Sequence, residues 1–457
     1  MVDVSELREQ VAGRVITPDE ADYDAARSLW NAMIDLRPAV IVRCHGTADV
    51  RLAVQFARTT GLEVAVRGGG HNVAGNASTE GGVVVDLSQM RSVIVDPNRR
   101  RAICEGGATL ADYDRETQQF GLASPTGAIS MTGVAGLTLG GGLGHLMRKY
   151  GLACDRLVGA QLVTADADVL NVDAASHPDL LWALRGGGGN FGIVTRFEFE
   201  LDPVGPIIYG GLLAYPAQRA AEVFRAYRDV VESNDEIGLN LLFLTAPPLP
   251  FVPPEMQFTP IIGISVCWCD DPAMGESIIE PLRAIGPALD LVGPMPFVAL
   301  QQMFDAGFGP GKRSYWKSGY LSRLDDATIS SFIESATAIP SPFSIVECQP
   351  LGGAVARLAS NSACGNRDAA YLYNVVAAWE EPSNDDAQVA WARDFHLNMS
   401  QHATGGVYVN YLTSDEAERV TEAYGDNRFR RLAHVKATYD PTNMFHRNQN
   451  IEPATTG

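Results

Sequence analysis

A histidine that directly follows three glycines is the most informative feature of this chain. The segment reads Arg67-Gly68-Gly69-Gly70-His71-Asn72. Consecutive glycines leave a turn without a side-chain wall, so backbone N–H groups can come into contact with a phosphate. The imidazole of His71 would then lie beside whatever that phosphate carries. The spacing predicts a bound nucleotide cofactor with His71 next to its reactive ring; a structural hairpin with a surface histidine is the alternative.

The elements around this turn have to place it on the edge of a sheet. Residues 63–66 and 82–87 are typical of strands that enter and leave the turn. Residues 37–43 read as a further strand and 47–58 as a helix, whereas 1–34 look helical. The chain therefore opens with alternating β and α units.

Glycine is dense again between residues 102 and 200. Short glycine runs occur at 140–142 and 186–189, and single glycines at 133, 136 and 144. Such density suits either a backbone packed along a long ligand or a contact between small-residue helices. A short helix at 180–184 and an alternating strand at 191–199 complete this part.

Composition and charge narrow the class of protein. The 457 residues suggest two to three domains, and 46% apolar residues supply large cores. A net charge of −19 without a lysine or arginine run argues against nucleic acid and against anionic membranes as partners. The N-terminus lacks an apolar signal core and no stretch is long enough to span a membrane, so we expect a cytoplasmic protein.

The seven cysteines do not form a metal-binding pattern. Cys267 and Cys269 lie on one face of an alternating strand, but no second Cys or His pair accompanies them at ligand spacing. We therefore expect no metal and reduced, mostly buried thiols.

Beyond residue 206 the glycine runs disappear. Alternating strands are predicted at 210–214, 238–244, 261–269, 344–349 and 371–379, with helices at 217–234, 326–336 and 385–400. This pattern favours a mainly antiparallel sheet covered by helices, which closes over the first domain. The tail reads as a strand at 407–411 followed by helices at 414–424 and 427–439. The expected domains are 1–205, 206–405 and 406–457.

Four segments together resemble one family. The 67–72 turn resembles the flavin loop of the FAD-linked oxidases of the vanillyl-alcohol-oxidase superfamily, which carry a PCMH-type FAD domain, in its berberine-bridge-enzyme-like branch. Residues 140–155 and 179–195 are similar to that family's second and third flavin segments, and 408–451 to its C-terminal module. The motifs stand in the family's order and cover most of the chain; 206–400 matches loosely.

The resemblance implies an α+β fold: a PCMH-type FAD-binding domain of two α/β subdomains, plus a substrate domain with an antiparallel sheet covered by helices. It also implies a covalent bond from His71 to the flavin, which makes the ring more electron-poor and prevents loss of the cofactor. Many members add a bond from a cysteine, but Ile129 stands at that position here. We therefore expect FAD linked through His71 only, as in the bacterial hydroxynicotine-oxidase-type members.

The implied activity is that of an oxidase. It would remove a hydride from a secondary alcohol or amine of a ring-containing small metabolite and reduce O2 to H2O2. By resemblance, Thr132 lies beside the side of the flavin ring that O2 reaches. Its side chain is small enough to leave a path for O2. A biosynthetic dehydrogenase or cyclase without peroxide release is the alternative, and a flavin-storing binding protein is a third. Substrate identity and oligomeric state are left open.

The candidate base is a tyrosine of the Tyr408-x-Asn410-Tyr411 motif. By resemblance Tyr411 accepts the proton, with Tyr408 as the alternative; strand alternation would place the two rings on opposite faces. A phenol acts as a base only when its anion is stabilised. Substrate candidates from the second domain follow from alternation on two strands: Glu347, Gln349, Tyr371 and Tyr373, with Tyr315 and Lys317 as weaker ones.

The expected flavin contacts form a longer set. They are Arg67, Gly68, Gly69, Gly70, His71, Asn72, Gly75, Thr126, Ile129, Ser130, Thr132, Gly133, Gly136, Gly141, Gly142, Gly151, Leu152, Asp155, Gly192, Ile193, Val194, Asn410, Asn448 and Asn450. His145 and His446 are expected to be structural histidines.

Overall fold

The computed structural model describes residues 2–250 and 252–455. A four-stranded sheet carries the glycine turn, and all its strands except the antiparallel edge strand Arg14–Ile16 are parallel. Their side chains are almost all buried, because helices and loops cover both faces. In spatial order the strands are Arg14–Ile16, Val40–Arg43, Val83–Asp86 and Val64–Arg67.

A five-stranded sheet forms the second part of the same region. All its pairs are antiparallel, and its inner face packs on a core that includes Phe197, Phe199 and Tyr113. In spatial order its strands are Val93–Asp96, Arg101–Glu105, Ile193–Glu200, Leu157–Val163 and Val169–Asp173. A two-stranded pair, Leu122–Ala123 with Asp202–Pro203, lies beside it.

An eight-stranded antiparallel sheet dominates the middle of the chain. Seven strands follow one path and the short strand Gly293–Pro296 pairs with the second of them. The path runs Leu289–Asp290, Ile207–Pro216, Pro260–Trp268, Gly238–Thr245, Ile345–Pro350, Tyr371–Trp379 and Arg313–Leu321.

One face of this large sheet is covered by four amphipathic helices. Their apolar stripes and the inward side chains of the sheet share one core. The four are Ala220–Ser233, Pro272–Arg283, Asp326–Ala336 and Asp385–Ser400. The opposite face of the sheet is turned towards the two smaller sheets.

The remaining helices connect or cover the smaller sheets. They are Ser5–Gln10, Tyr23–Arg27, Thr47–Thr60, Leu110–Thr117, Val134–Leu139, Met147–Tyr150, Pro178–Leu184, Phe297–Gln301, Gly353–Arg357, Val420–Tyr424 and Asp426–Tyr439. Within the described ranges, none of the helices has the length and apolar character needed to cross a membrane.

The predicted α+β class is confirmed, and so are the antiparallel sheet and its helical cover. Two local predictions were wrong. The first 34 residues are not continuously helical, because Arg14–Ile16 pairs as an edge strand with Val40–Arg43. The predicted helix at 414–424 is helical only from Ala417, where a short 3₁₀ turn precedes Val420–Tyr424.

The expected domain bounds, 1–205, 206–405 and 406–457, stay predictions. Met1, Thr456 and Gly457, which those ranges include, lie outside the described residues.

Candidate active site

A cavity of about 340 Å³ lies between the large sheet and the glycine-rich segments. We call its two sides the glycine-rich wall and the sheet wall. The glycine-rich wall is formed by lining residues from 64–77, 127–148, 188–194 and 445–449. The sheet wall is formed by lining residues from 238–242, 345–349 and 374–376, together with Trp316 and with Tyr411, which is bonded to Gln349. Phe304 and Phe308 line the cavity as well.

His71 is a neutral imidazole on the glycine-rich wall. Its ring stacks on Trp30, with centroids 4.3 Å apart and planes inclined by 22°. Burial lowers the pKa of His71 to about 4, because an imidazolium would lose its hydration there. Its buried Nε2 atom has no hydrogen-bond partner among the described residues. A buried ring nitrogen without a protein partner among the described residues is available to a ligand.

Several glycines of this wall are required by close packing of the chain on itself. A Cβ added to Gly69 would lie 2.4 Å from the backbone nitrogen of Gly133. A Cβ on Gly140 would lie 2.0 Å from Oδ1 of Asn410. Gly136 and Gly189 differ, because a Cβ there would meet nothing within 4 Å. These two positions leave open space along the cavity.

The structure brings more than half of the predicted flavin contacts to the cavity. Those that line it are Gly68, Gly69, Gly70, His71, Asn72, Ile129, Thr132, Gly133, Gly136, Gly192, Ile193, Val194, Asn410 and Asn448. Their roles towards FAD stay predictions. Those that do not line it are Arg67, Gly75, Thr126, Ser130, Gly141, Gly142, Gly151, Leu152, Asp155 and Asn450.

Arg67 and Gly75, which do not line the cavity, are fixed by neighbours within the protein, whereas the buried Oδ1 of Asn450 has no partner among the described residues. The guanidinium of Arg67 donates to the carbonyls of Ala26 and Arg27. A Cβ on Gly75 would lie 2.7 Å from the side chain of Ile34, so this glycine accommodates a neighbour.

The second flavin segment predicted from the sequence is largely a packing unit. Asp155 forms a buried ion pair with Arg367 at 2.6 Å and accepts the N–H of Leu152 at 2.8 Å. A Cβ on Gly151 would lie 2.6 Å from Oδ2 of Asp155. The N–H of Gly142 donates to Oη of Tyr408 at 2.7 Å. The direct flavin contacts expected of these residues stay predictions, and the contacts that the structure shows support the wall from behind.

The tyrosine motif is a turn, and the predicted strand at 407–411 was wrong. Val409–Tyr411 form one 3₁₀ turn, and the N–H of Tyr411 donates to the carbonyl of Tyr408 at 2.9 Å. The two rings consequently meet edge to face at 4.9 Å instead of facing apart. Tyr411 lines the cavity, whereas Tyr408 does not: its Oη is held by Gly142 and, at 2.9 Å, by Nδ2 of Asn410.

On the sheet wall, Glu347, Gln349 and Tyr411 form a connected group. The amide of Gln349 donates to Oε2 of Glu347 at 3.0 Å and to Oη of Tyr411 at 3.4 Å. Burial raises the pKa of Glu347 to about 7. Burial and the neighbouring Glu347 raise the pKa of Tyr411 well above its ordinary value. The carboxyl can therefore change protonation state near neutral pH, whereas the phenol stays protonated.

The predicted role of Tyr411 as the base stays a prediction. A phenolate needs a cationic or hydrogen-bonding neighbour that stabilises its negative charge. Gln349 supplies one hydrogen bond of this kind, whereas burial and the nearby Glu347 have the opposite effect.

Tyr371 and Tyr373, predicted as substrate candidates, lie on the core face of the large sheet. Glu347 pairs with Asn374, and Cys348 with Tyr373. Residues opposite each other in an antiparallel pair share a face, so Glu347 and Asn374 face the cavity while Tyr373 faces the helices. Oη of Tyr373 lies 2.9 Å from Nδ1 of His396.

The same register explains the two weaker candidates. Trp316 pairs with Val376 and lines the cavity, whereas its neighbours face away from it. Oη of Tyr315 donates to Asp415 at 2.7 Å, and Nζ of Lys317 lies 3.1 Å from Glu416. Neither side chain lines the cavity.

The sequence analysis missed several lining residues. These are Asn240, Phe304, Phe308 and Asn374, and none of them carried a recognisable motif. Trp30, which does not line the cavity but stacks on His71, was missed as well. His145, expected to be structural, lines the cavity; burial lowers its pKa to about 4, and its buried Nε2 has no partner among the described residues. His446, by contrast, pairs with Glu63 at 2.9 Å, away from the lining.

The charge of the cavity is set by few groups. Arg148 and Arg447 line it. The guanidinium of Arg148 donates to the carbonyls of Leu351, Ile237 and Val231, and Nε of Arg447 donates to the carbonyl of Ser78 at 2.9 Å. Glu347 is the ionisable group of the sheet wall. In the part of the chain that the structure describes, no three His, Cys, Asp or Glu side chains are grouped as a metal site.

The chain matches two protein families and is similar to known enzymes along most of its length. The "FAD binding domain" family matches residues 38–173, and "Berberine and berberine like" matches 407–452. An FAD-linked oxidoreductase of Bacillus subtilis (strain 168), YgaK, is 32% identical over 97% of this chain and 98% of its own length. The (R)-6-hydroxynicotine oxidase of Paenarthrobacter nicotinovorans is 31% identical over 97% of both chains.

A solved structure agrees over the whole chain. The crystal structure of 6-hydroxy-D-nicotine oxidase from Arthrobacter nicotinovorans superimposes with a TM-score of 0.89 at 29% identity, covering 99% of this chain and 100% of that one. Fold, glycine-rich wall and matched segments together define an enzyme, an FAD-linked oxidoreductase. The chain belongs to the berberine-bridge-enzyme-like family of these enzymes.

Proposed function

We propose that this protein is an oxidase that holds FAD through a covalent bond to His71 only and releases H2O2. Its substrate would be a secondary amine or alcohol in a ring-containing small molecule, with the amine favoured. The observation that carries the proposal is the arrangement of the cavity. One wall has a neutral imidazole whose Nε2 lacks a partner among the described residues, and the other has a connected Glu347–Gln349–Tyr411 group.

The residues of the glycine-rich wall fit FAD. Nε2 of His71 and Oδ1 of Asn448 are buried polar atoms without a protein partner among the described residues, and both residues line the cavity. Buried polar groups in folded proteins are nearly always hydrogen-bonded, so such atoms point to a ligand. Gly136 and Gly189 leave open space next to them. When bound, FAD supplies the acceptor for the hydride and passes the electrons to O2.

Glu347 is the group that we assign to accept the substrate proton. A general base works best when its pKa lies near the working pH, and burial raises the pKa of Glu347 to about 7. Gln349 fixes the carboxylate, because its amide bonds both Glu347 and Tyr411. The hydroxyl of Tyr411 accepts from Gln349, so its own proton is available to a substrate nitrogen or oxygen.

The lining also supports the substrate class. The rings of Trp316, Phe304, Phe308 and Tyr411 offer flat apolar contacts to a ring system. A buried carboxylate favours a substrate that carries an N–H donor or a positive charge, and it disfavours an anionic one. The printed name of the Paenarthrobacter relative, which gives 6-hydroxynicotine as the compound oxidised, supports a ring-containing nitrogen compound.

Two successive measurements on the purified holoenzyme test the proposal. Under anaerobic conditions, cyclic secondary amines, secondary alcohols and oligosaccharides are mixed with the protein, and flavin bleaching is recorded at about 450 nm. Air is then admitted and peroxide is measured. We expect amines to bleach the flavin and peroxide to form in a one-to-one ratio with the oxidised product.

The other outcomes contradict separate parts of the proposal. Bleaching without peroxide favours a dehydrogenase or cyclase. Bleaching by oligosaccharides alone contradicts the substrate class. A colourless protein that does not take up added FAD contradicts the proposed cofactor.

A further inference from the structure

A short segment of the middle part of the chain touches both sides of the expected flavin site. We call it the strap, residues 301–308; it begins at the end of the helix Phe297–Gln301 and contains the 3₁₀ turn Asp305–Gly307. Phe304 and Phe308, both in the strap, line the cavity. No motif in the sequence marked this segment.

The strap binds the wall segment 126–132 through two side chains. Oδ1 of Asp305 accepts the backbone N–H of Ser130 at 2.8 Å, and Oδ2 accepts its hydroxyl. The buried amide of Gln301 lies within hydrogen-bond distance of Oγ1 of Thr126 at 2.8 Å and of the carbonyl of Gly127 at 3.0 Å.

The carboxyl of Asp114 completes the contact of Gln301. Its Oδ2 accepts from Nε2 of Gln301 at 3.1 Å, and both side chains are almost fully buried. The amide of Gln301 is thereby fixed against Thr126 and Gly127. Removing either partner would leave a buried polar group without its hydrogen bond.

The other end of the strap reaches the His71 side. The carbonyl of Phe308 accepts Nε1–H of Trp30 at 2.6 Å, and Trp30 stacks on His71. One segment therefore connects the support of His71 with the wall that contains Ile129 and Thr132, both of which line the cavity.

The side chain of Ile129 has no atom that could form a covalent bond to a cofactor. Its wall segment is instead held by hydrogen bonds from two sides. From one side, the N–H groups of Leu110 and Ala111 donate to the carbonyls of Thr132 and Ser130 at 2.9 and 2.8 Å. From the other side, the N–H of Ser130 donates to Asp305. The segment is thus held between a helix of the FAD region and the strap.

We propose that Asp305 is a positioning residue that holds Ile129 and Thr132 against the flavin ring through Ser130, in the place of a second covalent bond. The proposal rests on the proposed function, since it presumes FAD in the cavity. Asp305 does not line the cavity and acts only through the wall segment.

Hydrogen exchange of the holoenzyme tests this directly. In Asp305→Leu, the amide of Ser130 loses its acceptor, and we expect exchange in a peptide covering 126–133 to become about tenfold faster. Asp305→Asn should stay within about twofold of the wild type, because an amide can accept the N–H and donate to the hydroxyl. The exposed Asp368→Leu is the matched control for loss of a carboxylate.

The flavin gives a second readout that a merely structural role would not change. We expect Asp305→Leu to shift the visible absorption band and to lower the rate of flavin reduction at saturating substrate about tenfold, because small displacements of reacting groups reduce rates steeply. Asp305→Asn should restore both. If Asp305→Leu does not fold, Ser130→Ala, which keeps the N–H and loses the hydroxyl bond, should give the same changes at reduced size.

The positioning role would be overturned if Asp305→Leu changed neither the hydrogen exchange of the 126–133 peptide nor the flavin band. The same holds for Ser130→Ala where that variant is needed. An Asp305→Asn variant that behaves like Asp305→Leu would overturn it as well, because charge and not hydrogen bonding would then hold the wall. A colourless wild type would instead contradict the proposed function, so the two failures are distinguishable.

Discussion

The two walls of the cavity are built by different means. The glycine-rich wall is mostly backbone: its residues approach each other so closely that a Cβ on Gly69 or Gly140 would overlap a neighbour. The sheet wall is mostly side chains on a regular antiparallel sheet, and its chemistry depends on which face each residue takes. Glycines that close backbone packing requires can be recognised in a sequence. The face that each side chain of a buried strand takes cannot.

The division also separates two tasks. The glycine-rich wall presents a neutral histidine and open space, which suits permanent attachment of a cofactor. The sheet wall presents a titrating carboxyl, an amide and a phenol, which suits contact with a changing substrate. Changes on the first wall should therefore act on flavin attachment, and changes on the second on turnover.

The largest effect is expected from His71→Ala. Because we assign the covalent bond to this imidazole alone, acid precipitation should give a yellow pellet from the wild type and a colourless pellet from the variant. Absorbance of the redissolved pellet near 450 nm measures the bound flavin.

His145→Ala is the matched control for that experiment. Like His71, His145 is buried, has a pKa lowered to about 4 and has an Nε2 without a partner in the described part of the chain. Its variant should keep the coloured pellet. A yellow pellet from His71→Ala would show that another residue carries the bond or that the flavin is held without one.

Glu347→Gln should give the next largest effect. Loss of a general base lowers the reductive rate by about 10²-fold or more. In the wild type the rate should rise with pH through about 7, because Glu347 must lose its proton before it can accept one. The variant should lack this rise, and stopped-flow bleaching across the pH range measures both.

A comparable pH profile in Glu347→Gln would contradict the assignment, since the titrating group would then lie elsewhere. Stability provides an independent check. A carboxyl whose pKa is raised in the folded state loses its stabilising contribution as pH rises towards that value. The apoprotein should therefore lose stability between pH 5 and 7 in the wild type and less so in Glu347→Gln, as measured by thermal unfolding.

The fold and the glycine-rich wall could be predicted because their signals are local. The turn at Gly68–Gly70, the position of His71 and the isoleucine at 129 all line the cavity. A similar signal can also have a packing cause. Gly151 and Asp155 are glycine and carboxylate in a flavin-like segment, yet they fit each other and Arg367 behind the wall.

The sheet wall could be predicted only in part. Every residue of the strand Tyr371–Trp379 is buried, because helices cover one face and the cavity region the other. Alternation of polarity therefore does not indicate which residues of this strand face the cavity. Tyr373 was predicted as a substrate contact, but Asn374 is the residue that faces the cavity. Tyr411 was mistaken for a strand residue because the turn Val409–Tyr411 is too short to leave a pattern.

Tyr411→Phe should have a smaller effect than Glu347→Gln. We assign its hydroxyl one hydrogen bond to the substrate, and removal of such a bond costs about 0.5–1.5 kcal/mol, or roughly two- to tenfold in rate. The pH profile should keep its rise near 7, since Glu347 remains. A loss of about 10²-fold together with loss of that rise would instead restore the tyrosine as the base.

The Tyr408→Phe variant tests whether Tyr408 takes part in the reaction or only supports the cavity wall. Its hydroxyl holds Gly142 and Asn410 but does not line the cavity. We expect the variant to lose stability by about 1 kcal/mol and to bind substrate with little change in KM. A strong change in the pH profile would show that Tyr408 takes part in proton transfer.

The smallest effect is expected on the core face of the same sheet. Tyr373→Phe removes the hydrogen bond to His396 and should lower the free energy of unfolding by about 1 kcal/mol, while the reductive rate stays within about twofold of the wild type. Asn374→Leu, one residue along the strand, should instead lower the reductive rate and change the free energy of unfolding less. The reason is that its side chain faces the cavity next to Glu347. Denaturant unfolding and stopped-flow bleaching on the two variants measure the contrast. If Tyr373→Phe slowed reduction more than Asn374→Leu, the register that separates the two faces would be wrong, and the assignment of Glu347 to the cavity would fail with it.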